Sequence, residues 1–72
     1  MAWIEYNNYC YNLNSFTEIS FHREVDEESC ICLTYEHRDS EGYLRFLSLR
    51  FDTLDEFDAK MKEIRNLILN RG

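Results

Sequence analysis

The sequence predicts an α+β domain: an antiparallel sheet of four to five strands with one C-terminal helix packed on one face. Three observations carry this. Segments rich in Tyr, Phe, Ile and Thr fill the chain up to Phe51, Asn, Asp and Ser clusters separate them, and apolar residues recur at helical spacing from Leu54 onward. Proline is absent and glycine occurs only at Gly42 and Gly72. Turns are therefore read from Asn7-Asn8, Asn12 to Ser15, Asp26 to Ser29, and Arg38 to Gly42.

Residues 2–6 and 9–13 read as a hairpin, because Asn7-Asn8 supplies the positive φ that a tight two-residue turn demands. Residues 16–25 follow as a long strand. Thr17, Ile19, Phe21 and Val25 fall on one side of it, and Glu18, Ser20, His22 and Glu24 on the other, so one face is expected to be buried and the other wet. Strands over 30–37 and 43–51 complete the set. Leu47, Leu49 and Phe51 alternate with Ser48 and Arg50, while Leu44 and Phe46 have the opposite parity, so the last strand needs either a bulge or a cover on both faces. The helix is expected over 54–70. Thr53 and Glu56 form an S/T-x-x-E capping box, Asp55 and Glu56 sit at the positive end of the helix dipole, and Leu54, Phe57, Met61, Ile64, Leu67 and Ile68 make one apolar stripe. That stripe also has the spacing of a coiled-coil seam, but with about two heptads beside a sheet it reads as core. The chain shows no repeat, low-complexity tract or linker, so residues 1–72 read as a single domain.

Size and charge narrow the function classes. In a chain of 72 residues the gain from apolar burial and the cost of ordering nearly cancel, which makes a partner surface, most simply a second copy, an expectation from physics alone. Fourteen acids against eight bases give a net charge of −6. Residues 53–72 hold four of each, so residues 1–52, with ten acids and four bases, carry the whole imbalance. Asp26-Glu27-Glu28 is its densest run. No segment approaches the ~20 apolar residues of a membrane span, and the opening MAWIEYNNYCYN has neither the basic start nor the apolar run of a secretory signal. With three cysteines, an odd number, the expected location is cytoplasmic.

No constellation in the sequence has the form of a catalytic or cofactor site. Cys30 and Cys32 share a strand face with α-carbons about 7 Å apart, and Cys10 with His22 or His37 completes a conceivable zinc set. Zinc pairs, however, usually sit as C-x₂₋₄-C on a turn, so these cysteines are read as small buried hydrophobes. Neither histidine has a nucleophile and an orienting acid at a telling spacing, and there is no glycine-rich phosphate loop, H-E-x-x-H or G-x-S-x-G. Acid pairs such as Asp26/Glu28 and Asp52/Asp55 follow from abundance. The expectation is therefore a non-enzymatic chain with no catalytic, metal or cofactor residues and no small-molecule substrate.

The aromatic residues are more informative. Trp3, Tyr6, Tyr9, Tyr11, Phe16, Tyr35 and Tyr43 exceed what one helix covers; they are the candidate interface residues, and the sheet face away from the helix is expected to be aromatic, partly uncovered and an assembly surface. Exposed rings on a sheet with Arg23, Arg45 and Arg50 among them suit base stacking, and strands followed by one helix look like the single-strand-binding coactivator type of fold. The acidic charge of the same half opposes phosphate binding, so nucleic acid is the least favoured partner. A protein partner fits better, since aromatics and arginine are enriched at interface centres.

The opening W-I-E-Y-N-N-Y-C-Y-N-L-N-S-F-T-E-I-S-F, residues 3–21, resembles a pattern in many short bacterial proteins of unassigned function. Tyr11-Asn12-Leu13 and Thr17-Glu18-Ile19 carry the likeness. It implies an initial hairpin, further strands and a last helix, and it transfers no site residue. The leading expectation is a small interaction or regulatory module acting as a homodimer. Two alternatives stand beside it: an acidic inhibitor or antitoxin-like protein that occupies a basic site on its partner, and a single-strand nucleic-acid binder.

Overall fold

A computed structural model describes residues 2–36 and 44–69. The element order is β1 (Trp3–Tyr6), β2 (Tyr9–Asn12), a 3₁₀ turn (Leu13–Ser15), β3 (Glu18–His22), β4 (Ser29–Glu36), β5 (Leu44–Phe51) and α1 (Leu54–Leu69). The class is α+β, as the sequence predicts. The strands, however, form two antiparallel sheets rather than one: a β1-β2 hairpin and a three-stranded sheet in the order β3-β4-β5.

The hairpin follows from its turn. Asn7 and Asn8 take φ of 49° and 68°, the left-handed region that a two-residue turn needs and that asparagine tolerates. Trp3 faces Asn12 and Tyr6 faces Tyr9, and Leu13 N–H donates to Ala2 O at 2.8 Å beyond the last pair. The break between the sheets is also local. Asn12 Oδ1 accepts from Asn14 N–H at 3.0 Å and Phe16 N–H donates to Leu13 O at 3.3 Å, which turns the chain out of the hairpin plane before β3 begins. An asparagine side chain competing for backbone N–H groups is why the strands expected at 9–13 and 16–25 stop at Asn12 and start at Glu18.

The three-stranded sheet has an uninterrupted register from Ser29 opposite Phe51 to Glu36 opposite Leu44. There is no bulge, and Phe46 is 68% exposed, so neither expectation for the phase of the last strand holds. The reason is that nothing among the described residues covers the outer face, which carries Glu18, Ser20 and His22 from β3, Cys30, Cys32 and Thr34 from β4, and Phe46, Ser48 and Arg50 from β5. Val25, expected on the buried side, is 73% exposed because β3 ends at His22 and residue 25 lies in the turn.

The inner face holds the core. Ile31, Leu33, Leu49 and Phe51 from the sheet meet Phe57 and Ile64 from α1 and Ala2, Ile4 and Leu13 from the hairpin, all buried. Phe51 stacks edge-on against both Tyr6 (5.5 Å) and Phe57 (5.8 Å), so one ring joins hairpin, sheet and helix. The helix begins where predicted: Glu56 N–H donates to Thr53 Oγ1 at 3.2 Å and Phe57 N–H to Thr53 O at 3.1 Å. The assembly is two-layered, with the sheet on one side and the helix and hairpin together on the other.

Candidate functional site: an aromatic groove opposite an acidic pole

Tyr11, Phe16 and Tyr35, three of the seven candidate interface residues, converge at one end of the molecule. With Ser15 and Leu47 they line a groove of about 430 Å³ that has no charged side chain among the described residues. Each wall has a different origin. Tyr11 comes from β2, Ser15 and Phe16 from the 3₁₀ turn and its exit, Tyr35 from β4 and Leu47 from β5. Phe16 meets Tyr35 edge-on at 6.1 Å, and Tyr9, 67% exposed, lies 6.4 Å from Tyr11 at the rim.

The other candidates lie elsewhere. Trp3 is 48% exposed on the hairpin face shared with Glu5, Cys10 and Asn12. Tyr6 turns inward: its hydroxyl donates to Arg50 O at 2.6 Å and accepts from Arg50 N–H at 2.8 Å. Tyr43 and His37 lie outside the described residues. The sequence reading that the uncovered sheet face is the aromatic one is therefore corrected. Its rings lie at the end of the inner layer, and the outer face is mostly small and polar, because strand parity sends Ser20, Cys30, Cys32, Thr34 and Ser48 outward.

Charge gathers at the opposite end. Residues 23–28 and 50–58 hold eight acids (Glu24, Asp26, Glu27, Glu28, Asp52, Asp55, Glu56, Asp58) and two bases (Arg23, Arg50), a net of −6, while the remaining six acids and six bases cancel. The pairing of Ser29 with Phe51 brings the β3–β4 turn beside the start of α1 and so unites the two segments. Tyr35 lies six residues farther along β4, about 20 Å away at ~3.3 Å per residue.

Buried Ser29 organises the acidic turn, a role the sequence did not announce. Its hydroxyl accepts from Glu24 N–H at 2.9 Å and donates to Glu24 O at 3.1 Å, closing the loop that carries Asp26, Glu27 and Glu28. Arg23 reaches across to the helix and binds Asp58 through both Nε (3.0 Å) and Nη2 (3.2 Å). This bidentate bond holds the Asp58 carboxyl below its ordinary range and raises the Arg23 guanidinium. Arg50 Nε lies 3.7 Å from Glu28. Beside this pole, Glu5, Tyr6, Asn7, Asp52, Glu56, Lys60 and Glu63 border an open cleft of about 630 Å³, bridged by Lys60 Nζ on Glu5 O at 2.9 Å.

The cysteines are less buried than their expected role as core hydrophobes requires. Cys10 is exposed, and Cys30 and Cys32 are half-buried on the outer face. Cys32 Sγ lies 3.7 Å from Ser48 Oγ, and burial together with the neighbouring Cys32 pushes the Cys30 thiol up from its ordinary value. Among the described residues no three His, Cys, Asp or Glu side chains converge as metal ligands. No helix among them is long and apolar enough to cross a membrane.

Comparison with known protein families, with curated proteins and with solved structures finds no match to this chain.

Proposed function

We propose that the chain is a small non-enzymatic protein–protein interaction or regulatory module that works as a homodimer and presents its aromatic groove to a protein partner. The observation that carries this reading is the convergence of Tyr11, Phe16, Tyr35 and Leu47 on one groove with no charged side chain among the described residues, in a chain of net charge −6. Rings held by three separate elements form a preorganised apolar socket, and such sockets lose little entropy when an aromatic or aliphatic side chain enters. Native mass spectrometry supplies the first test: a species near twice 8.8 kDa supports the homodimer, and a lone 8.8 kDa chain counts against it. For the groove, binding of an apolar fluorescent dye should weaken several-fold in Leu47→Glu with the fold intact. Unchanged dye binding would remove the groove from the proposal.

The charge segregation favours a second reading, in which the acidic pole occupies a basic site on another protein. Eight acids at one end steer a basic partner more strongly than the same charges spread evenly. Such binding should weaken steeply between about 0.05 and 0.5 M salt, where the screening length falls below ~5 Å. Single-strand nucleic-acid binding has less support, since Arg23 and Arg50 lie against Asp58 and Glu28 and form no free basic track.

A further inference from the structure

The two edges of the three-stranded sheet are treated differently. On β5 the Tyr6 hydroxyl stands in for a neighbouring strand, bonding both the N–H and the C=O of Arg50. The outer edge of β3 has no such cap among the described residues. It lacks the proline, lysine or internal bulge that blunts exposed strands, its five residues pair in unbroken register with β4, and α1 packs mainly over β4 and β5, reaching β3 through Arg65, which lies over the Phe21 ring at 5.1 Å.

The direction of the backbone groups on β3 follows from the same tyrosine. Arg50 turns its N–H and C=O away from β4, so in a regular antiparallel ladder its partner Cys30 directs its own groups toward β3. By alternation, Glu18, Ser20 and His22 bond to β4, and Ile19 and Phe21 turn their N–H and C=O groups to the free edge. The side chains of these two residues are half-buried on the inner face, although Leu33 and Ile31 opposite them are wholly buried. A hollow of about 310 Å³ continues from Ile19 to Leu13, Phe16 and Ile68, with Asn14, Thr17 and Glu18 also lining it.

We propose that β3 is the dimer contact: the β3 strands of two copies pair antiparallel about a two-fold axis through Ser20, making one six-stranded sheet. The occupant is a second copy because the strand is complementary to itself. Reversed about Ser20, Glu18 falls opposite His22 of the second copy and His22 opposite its Glu18, so a carboxylate meets an imidazole at both ends of the outer face. On the inner face Ile19 falls opposite Phe21 of the second copy, twice, and these are the two positions whose backbone groups are unpaired, which yields four N–H to C=O bonds. Ser20 meets Ser20 at a non-hydrogen-bonded position, where α-carbons lie about 4.5 Å apart and only a small side chain packs without strain. Both helices then lie on one side of the joined sheet, and both aromatic grooves stay open for a further partner.

This inference rests on the homodimer reading and is tested separately from it. Ser20→Cys, in a background of Cys10→Ser and Cys32→Ser, should form an intersubunit disulfide in a glutathione redox buffer, because the paired α-carbons fall at disulfide distance. The same background without Ser20→Cys should not. Glu18→Lys and His22→Glu should each raise the dimer dissociation constant about tenfold, and the two together should restore it to within about threefold, since the double variant sets a lysine opposite a glutamate at both ends. A monomeric wild-type chain overturns both this inference and the homodimer. A wild-type dimer with no Ser20 cross-link and no charge-swap rescue overturns the β3 contact alone and leaves the homodimer standing. Loss of that dimer in Leu47→Glu would then relocate its contact to the aromatic groove.

Discussion

Tyr6→Phe isolates one hydroxyl whose two bonds are the hairpin's polar attachment to β5. The ring itself keeps its edge-on contact with Phe51 in the variant, so the change removes only the donation to Arg50 O at 2.6 Å and the acceptance from Arg50 N–H at 2.8 Å. A typical intramolecular hydrogen bond contributes about 1 kcal/mol net, and two would set an upper limit of about 2. Because the pair lies at an exposed edge, water reaches the freed Arg50 groups and recovers part of this, leaving an expected loss of about 1 to 1.5 kcal/mol. In a domain of this size that lowers the melting temperature by roughly 5–10 °C. Urea and thermal unfolding followed by circular dichroism, at one fixed protein concentration because association shifts the midpoint, measure the loss. Hydrogen exchange locates it: the Arg50 amide should exchange faster in the variant while the Ile31 and Leu49 amides hardly change. If the midpoint moves by less than about 2 °C and the Arg50 amide keeps its protection, the tyrosine is not closing the β5 edge, and the argument for the outward groups of β3 loses its anchor.

Other outcomes follow from the same geometry. Phe57→Ala empties the centre of the core, where the ring is fully buried against Phe51, and should cost about 3–5 kcal/mol, enough to unfold a domain this small by circular dichroism at 25 °C. The Asp58 carboxyl is depressed by its hydrogen bonds from Arg23, with desolvation opposing and the Arg23 charge adding to the depression. Its contribution to stability is therefore present above the ordinary carboxylate pKa and is lost as pH falls through the lower folded value, so the gap in urea midpoint between wild type and Arg23→Gln should close on acidification from pH 7 to pH 2. Among the cysteines, exposed Cys10 should be alkylated first and Cys30 last, since burial raises the Cys30 thiol and lowers its thiolate fraction; mass-resolved labelling that finds Cys30 first would contradict this order.

Much of the architecture is legible from local signals. The Asn7-Asn8 turn, the Thr53 cap and the stripe of Phe57, Met61 and Ile64 each depend on residues within a few positions of one another, so chain statistics and backbone sterics suffice to read them. The extent of β3 misled because Val25 has the parity of Thr17, Ile19 and Phe21, although Arg23 breaks the alternation between them, and the ladder with β4 ends at His22, where buried Ser29 ties the turn to Glu24. The aromatic residues were recognisable as a surplus. Which of them share a surface was not, since ring excess is a property of composition and convergence is a property of packing.

By itself the sequence determined the α+β class, the hairpin turn, the start of the helix and the acidic character of the sheet half, because propensity, capping and charge are set by neighbouring residues. Tertiary structure alone decided that the strands divide into two sheets, that Tyr6 caps β5 while Tyr11, Phe16 and Tyr35 form a groove, and that the eight acids of residues 23–28 and 50–58 gather at one end. Each of these requires contacts between residues up to 44 positions apart, as between Tyr6 and Arg50, and no local rule specifies which distant group a hydroxyl or a ring will meet once the chain is closed.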